Sequence, residues 1–505
     1  MFDSKDETKP VQIKSRLPGD KILRIKKPRI ISLKRAMGVL GIFSTAYGNL
    51  GSSIYYALGV TAMYALGATP IVFALAGLLF ICTAMTYAEG TAAIPEAGGS
   101  SSFARKAFNE LVSFFAAWCL ILGYIVTISI SAFTAVGYLA SAFSKFNYVG
   151  PLFTLLKTFP GNIYATAVIL VFLMVLNVRG IKESAFFNVF WAVIDVVTQV
   201  FLLVLGVLFL FNLPTLINQI HWGVAPTWKN LLISFSVVMV SFTGIETISN
   251  MAEEAKDPEK TIPKSIWWTV TVAIFMFLGL ASIGLSCMPV KLVNGEYTTI
   301  LVTQYINDPV AGIAAHLPIL RDFMHAWVGI LAATILIIAT NAGILGISRL
   351  CFSMGSHNQI PPILGKLHKR YKTPYVAIIL FTIIAIFIII PADLTKLADA
   401  YVFGTMLSYT IAHASIIALR IKFPDMKRPY KMPFNIKIKG KDIPILPIIG
   451  GIWTLAVWFV VTVTNYYGRL VGIPFLIAGF ILYIAYRKSQ NLSLTQTVTK
   501  KQGRA

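Results

Sequence analysis

The chain is expected to fold as an all-α integral membrane protein of about twelve transmembrane helices, in two halves whose first and sixth helices are interrupted. Three observations lead there. Hydrophobic residues make up 56% of the 505 residues and charged residues only 13%, about half the charged share of a soluble domain. Apolar runs long enough to cross a hydrocarbon core of roughly 30 Å recur along nearly its whole length. The first and sixth of these runs are broken in the middle by glycines and hydroxyl-bearing residues.

The runs lie at about 36–64, 68–93, 110–143, 162–179, 184–212, 228–252, 267–288, 325–354, 374–391, 399–420, 447–465 and 469–486. So little sequence remains that no separate soluble domain is expected. A basic cytoplasmic tail (1–35), a transmembrane transporter domain (36–486) and a short cytoplasmic C-terminal tail (487–505) account for the chain. The first break is Tyr47-Gly48-Asn49-Leu50-Gly51-Ser52-Ser53-Ile54, and the sixth run contains Ser241-Phe242-Thr243-Gly244-Ile245-Glu246. Backbone freed at membrane depth is tolerated only where it lines a cavity or is buried in protein. Paired interruptions in corresponding places of two halves point to the binding site of a secondary transporter. The breaks lie five runs apart, so runs 1–5 and 6–10 form the proposed inverted repeat and runs 11 and 12 stand outside it. No residue-level repetition between the halves supports this; it rests on hydropathy and break position.

The net charge of +22 is a topology signal rather than a nucleic-acid surface. With the N-terminus inside and sides alternating, 36 of the 43 Lys and Arg fall on the inner side, which places both termini in the cytoplasm of a multi-pass cell-membrane protein. The basic tail also suits anionic lipid headgroups. No secretory signal is expected, because the first apolar run starts too late and is too long. The four cysteines, Cys82, Cys119, Cys287 and Cys351, all fall within apolar runs without metal spacing or pairing. They read as buried small hydrophobes, with no disulfide, metal or cofactor expected. No zinc-protease motif, nucleophile elbow or phosphate loop stands in a convincing context, which excludes the common enzyme classes and a nucleotide-driven pump.

At Gly51-Ser52-Ser53, backbone N–H groups and two hydroxyls at the N-terminal end of a half-helix suit an anionic group such as a carboxylate. Freed carbonyls near Tyr47 and Gly48 would suit an ammonium or a metal cation. A site offering both suits a zwitterionic α-amino acid. Close helix packing by small residues is the competing reading, and the matching break in run six tips the balance. Ionisable groups deep in a membrane are expensive and are functional candidates by default. Asp195 lies mid-way along run five, as a proton carrier, a sodium ligand or a counter-ion to a cationic substrate. Glu246, just after the second break, is the other candidate for ion coupling. Tyr124, Thr340 and Asn341 are candidates for the pocket wall. His413 reads as a packed neutral imidazole, Arg349 as a loop anchor, and Glu253 and Glu254 as partners of Lys256 and Lys260. The stretch 289–324 is either a lid or a connector.

Phe242-Thr243-Gly244-Ile245-Glu246, followed by Ala252-Glu253-Glu254-Ala255-Lys256-Asp257-Pro258 and Ile262-Pro263, resembles the sixth span and following loop of the amino acid–polyamine–organocation (APC) permeases. Pro95-Glu96-Ala97-Gly98-Gly99, Asn341-Ala342-Gly343 through Ser348-Arg349 to Ile360-Pro361, and Thr373-Pro374 are similar to the same superfamily, in its order. The resemblance, to the amino acid transporter branch, implies a LeuT-like five-plus-five fold, substrate at the interrupted parts of spans one and six, and alternating access. It implies that Gly51-Ser52-Ser53 binds the substrate carboxylate and that Phe242, Thr243, Gly244 and Ile245 face the ligand, with Phe242 as an aromatic gate. It also lends Glu246 a part in proton coupling or in contacting basic substrates.

Two departures stand out. Ser53 replaces the second glycine of the usual first-span motif, which would tighten any backbone approach to a carboxylate. Asp195 stands where many proton-coupled members have a lysine, roughly fifteen residues after the glycine matching Gly180. The expected function is a secondary active amino acid transporter, by symport or exchange, with a proton or sodium as coupling ion and membrane lipids as surroundings. A polyamine or cationic-amine transporter and an amino acid sensor with little flux are the alternatives. Potassium uptake is a third, because Tyr47–Tyr56 resembles the first span of the KUP transporters, which carry an acidic residue where Asn49 stands. The oligomeric state stays open.

Overall fold

The structure, a computed structural model, describes residues 35–497 apart from 36, 144–155, 157, 181–184 and 439. The basic tail before residue 35 therefore lies outside the described residues. The first crossing is α1 (Val39–Leu50), a 3-10 turn (Gly51–Ser53) and α2 (Ile54–Ala65). It is followed by α3 (Thr69–Ala93), a short α4 (Ser100–Ala107), α5 (Glu110–Phe143), α6 (Gly161–Val178) and α7 (Ala185–Phe209). After α8 (Leu213–Asn218), the sixth crossing runs through α9 (Trp228–Val238), a 3-10 turn (Met239–Phe242) and α10 (Glu246–Asn250). Then come α11 (Pro258–Cys287), α12 (Ile300–Thr303), α13 (Pro309–Ala315), α14 (Arg321–Ser356), α15 (Tyr375–Ile388), α16 (Leu394–Lys422), α17 (Ile445–Thr464) and α18 (Tyr466–Ser489). Two antiparallel hairpins, β1–β2 (Lys291–Val293 with Glu296–Thr298) and β3–β4 (Asn435–Ile438 with Lys441–Pro444), are the sheet content of the described residues.

Ten segments of the described residues are long and apolar enough to cross a membrane. The first, Val39–Ala93, has 55 residues, about 80 Å of helix at 1.5 Å per residue and far too much for one bilayer. It reverses at Leu66, whose φ of 47° ends α2, and so supplies two crossings. The shorter apolar α15, 14 residues, completes the twelve runs read from the sequence. Five crossings is an odd number, so the half that begins with α9 enters the membrane in the opposite sense to the half that begins with α1.

Polar signals place the helix starts. Prolines stand in the first turns of α3, α8, α11 and α13, where a missing N–H costs nothing. Asp393 caps α16 by accepting from Thr395 N at 2.9 Å, and Thr227 caps α9 by accepting from Asn230 N at 3.2 Å. The long helices α5 and α14, 34 and 36 residues, form the most extensive helix pair. The interrupted first crossing packs on α7, α11 and α14 through α1, and on α9 and α13 through α2.

Several sequence expectations change here. The first crossing is tightened rather than unwound: Leu50, Gly51, Ser53 and Ile54 all keep right-handed helical dihedrals. Glu253 and Glu254 are not paired with Lys256 and Lys260. Glu253 accepts from the Ala97 N–H at 3.0 Å, Glu254 pairs with Arg349 at 2.8 Å, and Lys260 reaches Asp257 at 3.8 Å. A backbone bridge explains the difference. Met37 exchanges hydrogen bonds with Glu254 O and Lys256 N, both at 3.0 Å, so the chain entering the first crossing pins the loop after the sixth. The stretch 289–324 folds as a hairpin and two short helices, with α13 wholly buried. The C-terminal tail begins by docking: buried Arg487 donates to Ser493 O and to Gln496 Oε1 (3.1 Å), and Glu110 N donates to Gln496 O (3.0 Å).

Candidate functional site

The two interruptions meet. Gly244 has φ +107°, a conformation that side-chain-bearing residues rarely adopt, and Thr243 before it is extended. A β-carbon added at Gly244 would lie 3.1 Å from Asn49 Nδ2 and 3.2 Å from Leu50 N, so span six breaks where span one passes. Asn49 Nδ2 donates to Thr247 Oγ1 at 2.8 Å. Asn49 Oδ1 is buried without a hydrogen-bond partner, as is Ser241 Oγ.

Glu246 closes the break from the other side. Its Oε2 accepts from the Gly244 N–H at 3.1 Å and from the Tyr409 hydroxyl of α16 at 2.7 Å. The Tyr409 ring is edge-on to Tyr87 of α3, with centroids 5.6 Å apart. The loosened backbone and a tyrosine from a tenth crossing are thus tied through one carboxylate.

Asp195 is fully buried on α7 and bonded to both halves of the first crossing. It accepts from Tyr47 (3.0 Å), which precedes the Gly51–Ser53 turn, and from Tyr55 (2.5 Å), which follows it. Gln199, one turn along α7, donates to the same carboxylate at 2.7 Å. Tyr55 is braced in turn, because Tyr138 donates to its backbone O at 2.9 Å. Three donors from two crossings therefore converge on one membrane-embedded carboxyl group.

The remaining candidates divide. Gly48, Gly51, Ser52, Ser53, Thr243, Gly244 and Ile245 line the junction and are all buried. The carbonyl of Tyr47, expected to be free, accepts from the Gly51 N–H. Ser52 donates to Asn49 O at 2.9 Å, and Ser53 accepts from the Tyr56 hydroxyl at 3.1 Å. Phe242 is packed with Phe73, Phe80 and Phe277 from α3 and α11, with centroids 5.3–6.4 Å apart. Tyr124 is bonded to Asn250 at the C-terminal end of span six. Thr340 and Asn341 lie on α14, which packs against the first crossing, and their hydrogen bonds run elsewhere. Thr340 bonds back to Leu336 O at 2.8 Å, and Asn341 accepts from Asn177 of α6 at 2.5 Å. His413 sits between the hydroxyls of Thr83 and Thr86, at 3.2 and 2.8 Å.

Sequence reasoning gave no role to the side chains of Tyr47, Asn49, Tyr55, Gln199, Thr247 and Tyr409. One signal was available: Gln199 stands four residues after Asp195, on the same helix face. The tyrosines carried none, because a tyrosine in an apolar run reads as core.

A sequence profile of the amino acid permeases matches residues 37–487. The chain belongs to the amino acid permease family. This permease is 26% identical over 431 residues to the methylthioribose transporter of Bacillus subtilis (strain 168), covering 84% of this chain and 86% of the relative. It is 25% identical over 473 residues to the branched-chain amino acid permease BcaP of the same organism, covering 91% and 94%. The low-affinity putrescine importer PlaP of Escherichia coli (strain K12) is 25% identical over 367 residues, covering 69% and 72%. A multi-pass membrane transporter of the permease type follows from the family and from the apolar helices.

Proposed function

We propose that this permease is a secondary amino acid transporter that works by alternating access and is driven by protons. The reading is carried by the Asp195 carboxyl group, bonded to span one on both sides of its turn. Ionised, it accepts from Tyr47, Tyr55 and Gln199. Protonated, it donates to a tyrosine hydroxyl, which can reverse its own role. Charge-assisted hydrogen bonds are roughly twice as strong as neutral ones, so protonation loosens the hold of α7 on the first crossing. A proton suits this arrangement better than sodium, which needs oxygen lone pairs turned inward rather than three donors.

The substrate site assigned here is the junction of Gly51–Ser53 with Thr243–Ile245. Every residue of it is buried, so substrate enters only after one side opens. Inward opening would part the Met37 bridge and the Arg349–Glu254 pair. Outward opening would draw Phe242 out of its aromatic cluster. Both termini and the Arg349–Glu254 pair are assigned to the cytoplasmic side on the distribution of Lys and Arg. One charge moved across 100 mV supplies about 2.3 kcal/mol, enough for about fifty-fold accumulation.

Pooled labelled amino acids in sodium-free proteoliposomes are expected to accumulate only under an inward proton gradient. Accumulation that ignores the gradient, or that requires sodium, would remove the proton from the mechanism. A second reading, transport of a cationic amine, is favoured by the similarity to the putrescine importer. Labelled putrescine and methylthioribose therefore go through the same vesicles.

Ser52 is fully buried in the 3-10 turn. Ser52→Leu is expected to weaken substrate binding at least tenfold without unfolding the helices, as read by equilibrium binding and circular dichroism. Unchanged affinity would place the carboxylate site elsewhere.

A further inference from the structure

We propose that the hairpin β3–β4 is a membrane-surface anchor that lays one apolar face into an anionic phospholipid leaflet. In its register Ile436 pairs with Ile443 and Lys437 with Asp442. Side chains alternate along a strand, so Ile436 and Ile438 of β3 share one face and Lys437 lies on the other, with Phe434 immediately before the strand. Phe434, Ile436 and Ile438 are 69%, 50% and 49% exposed. A two-stranded hairpin is marginal in water unless one face is covered, and an exposed apolar face rimmed by charge marks a membrane or partner contact.

Three observations name lipid as the cover. The first is depth. Phe434 O accepts from the Ile445 N–H at 3.0 Å, and Ile445 opens the membrane helix α17, so the hairpin stands at the bilayer boundary. The second is a boundary marker on a different element. Tyr430, four residues before Phe434, accepts from Trp267 Nε1 at 3.3 Å. Trp267 and its neighbour Trp268 are exposed on α11, and tryptophans gather where headgroups meet hydrocarbon. The third is charge. Residues 420–446 hold eight Lys and Arg against two Asp, and one of the two, Asp442, is already bonded to Lys431. Basic residues beside a shallow apolar face bind anionic lipid surfaces.

The chain leading into the hairpin is tied to the helix bundle. Met432 N donates to buried Glu89 at 3.0 Å, and Glu89 takes a two-pronged pair from Arg420 of α16, both bonds 2.6 Å. Helix α16 also carries Tyr409, which bonds Glu246 at the site. A lipid contact at the hairpin is therefore made by an element fastened to the helix that closes the broken span.

The test places an environment-sensitive fluorophore at Ile436→Cys, in a full-length chain whose four cysteines are replaced by alanine, reconstituted in phosphatidylglycerol vesicles. A doxyl-labelled lipid with its quencher near the glycerol backbone is expected to quench it at least threefold more than aqueous iodide does. The same label at Lys437→Cys, on the opposite face, should show the reverse preference. Phosphatidylcholine vesicles, or Lys437→Glu with Lys441→Glu, should lower the lipid quenching at position 436 at least twofold. Dominant iodide quenching at Ile436→Cys, or no dependence on the anionic lipid, overturns the proposal. Exclusion of both quenchers also overturns it, because a second copy or another part of the chain would then cover the face. Which side the hairpin occupies is read separately, by an impermeant maleimide on Lys437→Cys in vesicles of known sidedness. A label reached only from the outer side would refute the assigned orientation and leave the anchoring intact.

Discussion

Asp195→Asn is expected to abolish gradient-driven accumulation, from about fifty-fold at 100 mV to simple equilibration, while exchange and substrate binding persist. The reasoning starts from shape. Asparagine matches aspartate in size and keeps one oxygen for Tyr47 or Tyr55, so the first crossing stays tied to α7. It cannot gain or lose a proton, so the tie no longer responds to the gradient. The pH profile of uptake should flatten in the same variant. Counterflow of labelled substrate at several pH values, beside net uptake with and without a gradient, separates the two properties. A wild-type pH profile in Asp195→Asn would sink the coupling role.

Asp195→Leu provides the contrast. It leaves the hydroxyls of Tyr47 and Tyr55 buried without their acceptor, at about 1–3 kcal/mol each, while Gln199 keeps its bond to the Tyr55 hydroxyl at 3.3 Å. That variant should lose stability as well as coupling, seen as a lower melting temperature in detergent. If it melts with Asp195→Asn, the hydrogen bonds to span one carry less than the geometry implies.

Gly51→Ala is expected to reduce accumulation at least tenfold although it adds a single methyl group. An added β-carbon would lie 2.6 Å from two ring atoms of Tyr47, closer than real contacts allow. The ring must move, and its hydroxyl is the group that donates to Asp195 at 3.0 Å. The ring is also stacked on Phe43, with centroids 5.7 Å apart, which limits where it can go. Tyr47→Phe removes the same hydroxyl without crowding, so both variants should act through one contact. Their effects should then fall well short of additive in a double-mutant cycle, the signature of a shared interaction. Fully additive losses would show that Gly51 matters for the turn itself and not for the Tyr47–Asp195 bond.

Much of this was legible in the chain. Hydropathy placed eleven of the twelve apolar runs within about five residues of the helices, because in hydrocarbon a backbone has hardly any option but to satisfy its own hydrogen bonds; α11 begins nine residues before its run, at Pro258. Gly244 was legible as a break because its φ of +107° is open to glycine and to few other residues. The break at Gly51-Ser52-Ser53 was misjudged in kind. Glycine and serine permit unwinding without requiring it, and tertiary packing held the turn in a 3-10 form with the Tyr47 carbonyl still engaged. The partner of Asn341 was not legible either. A polar residue on a buried helix bonds whatever faces it, and for Asn341 that is Asn177 of α6.

By itself, the sequence determined the fold class, the family resemblance, the two places where the path through the membrane is interrupted, and the presence of buried carboxyl groups at Asp195 and Glu246. Those are properties of composition and local backbone freedom, and both are written residue by residue. Only the tertiary structure decided which groups those carboxylates hold. Tyr47 and Tyr55 meet Asp195 across 148 and 140 residues of chain, and Tyr409 meets Glu246 across 163. A side-chain hydrogen bond is won by proximity in space, and no local pattern records which of many buried tyrosines will stand within 3 Å of a given carboxylate.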